Sequence, residues 1–121
     1  MSCLVDWTTF DIVNYSTSEI DTGATWIDGK HIYRKTIDFG NLPNNTTKNV
    51  AHGISGLSQL VKIDAVMNRP GVNEGFYPLP FVSKAAVNDQ IEISVTNTNV
   101  SIGTNINWST CTAIVTIYYT K

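Results

Sequence analysis

The residues of this chain that could do chemistry are few and scattered. Ten acidic side chains are spread along 121 residues. Glycoside hydrolysis needs two carboxyl groups at a set separation, one of them in an apolar pocket that raises its pKa. Asp64, on a strand face of mixed polarity, and Glu74, in a turn-rich loop, are the acids to test, but no spacing singles out a pair. The two histidines, His31 and His52, have no cysteine, histidine or carboxylate partner at a metal-ligand spacing, and His52 reads as a hydrogen-bonding turn residue rather than half of a metal site shared across a symmetry axis. Cys3 and Cys111 lack the spacing of a redox pair or a zinc site and read as two unpaired thiols. The segment Gly53-Ile54-Ser55-Gly56 lacks the Gly-x-Ser-x-Gly spacing of a nucleophile elbow. The expectation is a protein without catalytic residues, metal or cofactor.

Binding is the better prospect. Trp7, Trp26, Trp108 and Tyr15 lie in or beside predicted loops and strand ends, where a flat ring with a polar tip can stack on a sugar or on a protein partner. The competing role for each is a place in the core or in a subunit contact. Asn-, Ser- and Thr-rich loops supply amides and hydroxyls that suit sugar hydroxyls and also make ordinary turns. The formal charge of −2, with 8 basic residues and no basic run, gives no cationic surface for a phosphate backbone. Nucleic acid is therefore not an expected partner. The amino terminus, Met1 to Trp7, has no basic start followed by an apolar run, and no window approaches the length of a membrane span.

These side chains must be positioned by strands. With 42% hydrophobic and 15% charged residues, the chain can bury one core. It is rich in Asn, Thr, Ser and Gly, and no segment has helical periodicity. Asp28-Gly29, between β-prone runs, predicts a type I′ hairpin whose second arm reaches Phe39. Thr46 to Ala51 predicts a short strand, Ser55 to Gln59 a brief helical turn, and Leu60 to Asn68 a core strand. Phe76 to Val82 carries Pro78 and Pro80 and must be an edge strand or an extended loop. Gln90 to Thr96 and Val100 to Gly103 predict a second hairpin, and Thr110 to Thr120 the longest alternating strand. About seven short strands make an all-β antiparallel sandwich.

Tyr15-Ser16-Thr17-Ser18-Glu19, Gly23, Trp26-Ile27-Asp28-Gly29-Lys30 and Ile32-Tyr33-Arg34-Lys35 resemble a module common at the carboxyl end of phage tail-fibre, baseplate and head-fibre proteins. Val50-Ala51-His52-Gly53-Ile54, Phe76-Tyr77-Pro78-Leu79-Pro80 and the closing Ala113 to Lys121 continue the likeness. It covers residues 14–121, a head domain, and leaves 1–13 as a short segment that could serve as an attachment or arm. His31 stands where the family carries proline, and the residues before the head are too few for a coiled-coil stem, so the expectation is either an excised tip or a short start that is itself the attachment. The resemblance implies a homotrimeric, non-enzymatic virion protein whose head recognises the host surface, often its carbohydrate. The alternative is a head-fibre tip or a capsid or tail decoration protein with a purely structural role. On the adhesin reading, Trp26, Tyr15 and Trp108 are the expected stacking residues and Asn105 and Asn107 their polar partners.

Overall fold

A computed structural model of the chain describes residues 14–85 and 89–121. Among these described residues, nine strands form two antiparallel sheets that face each other across one core. The five-stranded sheet has the order β1 (Ile20–Thr25), β2 (His31–Asn41), β9 (Thr112–Thr120), β4 (Gln59–Arg69) and β5 (Gly75–Leu79). The four-stranded sheet has the order β3 (Thr47–Ala51), β8 (Asn99–Thr104), β7 (Gln90–Val95) and β6 (Phe81–Val82). The expected β-sandwich is the observed architecture. Cys3 and the segment 1–13 lie outside the described residues, and Cys111 is buried and unpaired.

Alternation explains which strands are central. Ala113, Val115, Ile117 and Tyr119 on β9 are all 1% exposed or less, and β9 lies between β2 and β4 with long registers to each. Met67, Ala65, Ile37 and Phe39 face it from the flanking strands, while Ile91, Val100 and Ile102 close the core from the other sheet. All four sheet edges are guarded. β1 is bulged between Asp21 and Thr25 around Gly23 (φ 80°), β5 carries Pro78, β3 carries Lys48, and β6 is two residues long. The proline-rich run divides between the sheets: β5 ends at Leu79, the Leu79–Pro80 peptide is cis, and β6 starts at Phe81.

Three local expectations need correction. The hairpin turns between β1 and β2, but through a three-residue loop: Gly29 N–H donates to Trp26 O at 2.9 Å and Trp26 N–H to Lys30 O at 2.8 Å. Only Gly29 has a positive φ (86°), because Asp28 stays right-handed and its carboxylate accepts from Lys30 N–H at 3.0 Å. Residues 55–59 form no helical turn. Gly53 and Gly56, at φ 68° and 76°, bend the chain out of the right-handed region before β4 begins at Gln59. Nine strands replace about seven, chiefly because the proline-bearing run splits.

Candidate functional site

The expected recognition residues fall on different parts of the sandwich. Trp108, expected as a stacking residue, is 4% exposed and belongs to the core. Its ring meets Phe81 edge-on at 5.5 Å, Phe81 meets Tyr77 in the same way at 5.5 Å, and the Arg69 guanidinium covers Trp108 at 4.9 Å. The polar neighbours Asn107 and Ser109 mark a loop correctly, but the indole turns inward, because a large ring gains most from burial. Asn107 shapes that loop: its Oδ1 accepts from Ser109 N–H at 2.9 Å, and its backbone bridges to Asn44. Trp26 is half-buried at the start of the β1–β2 hairpin. This hairpin lies at the opposite end of β2 from Asn41, which pairs with Thr112 just past the Trp108 loop. The ten steps of β2 span roughly 33 Å.

Tyr15 is exposed and lies against the outer face of the five-stranded sheet. Its ring faces the Arg34 guanidinium at 4.9 Å and its hydroxyl is 3.5 Å from that of Tyr118. Arg34 is buried on this outer face, hydrogen-bonded to the Asn14 carbonyl and 5.8 Å from the Tyr118 ring, which Lys62 approaches at 5.3 Å. Lys62 pairs with Asp64 at 3.3 Å, and Thr36 and Thr116 exchange a hydroxyl hydrogen bond at 2.9 Å. One half of this face is thus filled by interlocked side chains. The other half is bare and apolar. Val66 pairs in register with Ile114 on one side and Pro78 on the other, and Phe76 sits opposite Asn68 in the next row. Phe76 is 77% exposed, Ile114 48% and Val66 45%. Asp38 and Asn68 rim the patch.

The outer face of the four-stranded sheet is mostly polar: Thr47 and Asn49 from β3, Ser101 from β8, and Glu92 and Ser94 from β7, with exposed Val82 beside Gln90 at the β6 edge. Asn49 and Ser101 are joined by a short side-chain hydrogen bond. Gly103 interrupts the row between Thr47 and Glu92, its partners on either side. A Cβ on Gly103 would lie 3.1 Å from both Glu92 Oε1 and Thr47 Oγ1, so the two oxygens lean over bare backbone. The result is an open groove of about 280 Å³, bordered at one end by Gln90 and Asn105. Asn105 Oδ1 accepts from Gln90 N–H at 3.0 Å, which braces that end. Asn105 is the one expected site residue that borders this groove. Glu92, Thr47 and Gly103 were not expected there, although a glycine inside an alternating strand is itself a sign of close approach.

Of the candidate chemical groups, Asp64 pairs with Lys62, His31 with Asp21, and His52 is held by the backbone. His52 is 1% exposed; its Nδ1 accepts from Ile54 N–H at 3.1 Å, so Nε2 carries the proton and donates to Thr96 O at 2.9 Å. Both ring nitrogens are committed, as a hydrogen-bonding turn residue requires. Among the described residues no group of three or more His, Cys, Asp or Glu side chains is placed to hold a metal ion. Glu19 accepts from Tyr119 Oη at 2.6 Å and Lys121 Nζ at 2.7 Å. Its partial burial acts to raise its pKa, but these hydrogen bonds and the charges of Lys121 and Lys35 outweigh it and hold the carboxyl below its ordinary range. Burial above all, with the Glu19 hydrogen bond, pushes the Tyr119 phenol well up. Comparison of the chain with protein-family models, with curated proteins and with solved structures finds no match.

Proposed function

We propose that this domain is a non-enzymatic structural protein of a phage virion, the trimeric head of a fibre that adheres to carbohydrate on the host surface. The observation that carries this reading is the unlikeness of the two outer faces. Phe76, Pro78, Val66 and Ile114 stand side by side as an apolar patch on the outer face of the five-stranded sheet, and such contiguous patches mark contacts with other proteins. The occupant is a second copy of this chain. The patch is uncharged at its centre and has Asp38, Asn68 and the Lys62–Asp64 pair around it, so further copies can pack on it without burying an unpaired charge. Sequence likeness to fibre-head modules supports three copies. The opposite, polar face is left for recognition.

Light scattering on a sizing column tests the assembly, and adsorption of the labelled protein to a panel of bacteria tests the adhesion. A trimer that adsorbs supports the reading. A monomer that binds virion components and no cells moves the protein to the alternative, a head-fibre tip or decoration protein.

A further inference from the structure

The geometry points to the groove over Gly103 as a saccharide site, which takes one neutral pyranose ring through a vicinal diol held by Glu92 and Thr47. The inference rests on the adhesin reading and gives it a location. Gly103 lies inside β8, with strands on both sides, at a φ outside the left-handed region. Its backbone therefore does not call for glycine. A strand interior disfavours glycine. What glycine does supply is space: a Cβ here would lie 3.1 Å from both Glu92 Oε1 and Thr47 Oγ1 and would push these oxygens aside by a few tenths of an ångström.

Those two oxygens define the ligand. Among the described residues neither the Glu92 carboxylate nor the Thr47 hydroxyl has a hydrogen-bond or ion-pair partner. A carboxylate accepts strongly from two adjacent hydroxyls, and a threonine hydroxyl can donate to or accept from a third. The groove is lined by this carboxylate, threonines, Gln90, Asn105 and Gly103, with no cation among the described residues, so it disfavours anionic ligands. An amine would gain little, because an exposed ion pair is screened by water and contributes little. A volume of about 280 Å³ lies at the small end for ligand pockets and suits one ring rather than an oligosaccharide. An open site without a stacking ring binds weakly, with Kd on the order of 10 mM, and three linked heads would raise the avidity.

The test is an NMR titration of the ¹⁵N-labelled protein with the methyl glycosides of glucose, mannose, galactose and rhamnose, each to about 100 mM, where a site of that affinity is mostly filled. Methylammonium chloride serves as the cation control. The expected result is saturable movement of the Thr47, Glu92 and Gly103 amides with at least one glycoside and none with methylammonium. Gly103→Ala should weaken that binding at least tenfold, and Glu92→Gln, a surface change that keeps the fold, should weaken it severalfold. Still groove amides with all four glycosides, or binding unchanged in Glu92→Gln, overturns the inference. If a glycoside moves amides elsewhere and leaves the groove still, the groove fails while carbohydrate recognition by the head stands. Adsorption to cells is read independently, so loss of the groove and loss of the adhesin reading are told apart.

Discussion

The outer faces of the two sheets are built by the same alternation and finished in opposite ways. On the five-stranded face long side chains interlock: Tyr15, Arg34, Tyr118 and Lys62 lie one against the next, and where this ends Val66, Ile114, Pro78 and Phe76 leave an apolar surface. On the four-stranded face the side chains are short and polar, and Gly103 opens a hollow in the middle. A face filled by large groups contributes to stability and contact. A face of small polar groups around bare backbone contributes little to stability, and is free to take a small polar ligand. The two faces should therefore respond differently to substitution.

The largest loss of stability is expected where the clasp between the sheets is cut. Trp108→Ala removes the ring that ties Phe81 of β6 and, through it, Tyr77 of β5, and should cost about 3–5 kcal/mol in urea unfolding. Trp26→Ala, at the half-buried hairpin, should cost much less. The next largest effect is expected on the filled half of the five-stranded face, where Arg34→Ala loses contacts to two aromatic rings and the Asn14 carbonyl, about 2 kcal/mol together.

Acid sharpens the comparison further. The Glu19 carboxyl titrates below its ordinary value of 4.5 in the folded protein, so its contribution is complete above that pH. As pH falls, the unfolded chain takes up the proton first, and the contribution is lost as pH falls through the folded value. Unfolding curves of Glu19→Gln should therefore lie below wild type at pH 7 and converge with it in acid. The smallest effects on stability belong to the exposed positions: Glu92→Gln on one face and Phe76→Ser on the other should each leave the stability of the isolated subunit within about 0.5 kcal/mol.

Most of this fold was legible wherever one strand face is buried. β4 and β9 follow from strict alternation, and the edge position of Phe76 to Val82 follows from prolines that cannot serve a central ladder, while its division between the two sheets does not. The β1–β2 turn was legible in position and not in type, because both turn types use an Asp-Gly pair and the choice depends on the loop length that the strand register allows. Asparagine and serine beside Trp108 showed a loop, but the direction of one indole within a loop depends on Phe81 and Arg69, distant in sequence. Arg34 gave no sign of burial for the same reason: Tyr15 and Tyr118, which cover it, come from opposite ends of the chain. Of the groove residues only Asn105 is singled out by the sequence, and there as the partner of a stacking ring that the groove lacks. Glu92 and Thr47 meet over Gly103 through pairings between β3, β8 and β7, and β3 is joined to β8 only across half the chain.

On the proposed function, the apolar face meets copies of this chain and the polar face does not. Mass in solution tests it most directly, with wild type and Phe76→Ser run side by side at the same concentrations. The expected result is a wild-type particle of three 13.3 kDa chains and a Phe76→Ser variant that dissociates while remaining folded. A monomeric wild type, or a trimer that Phe76→Ser leaves intact, would contradict it.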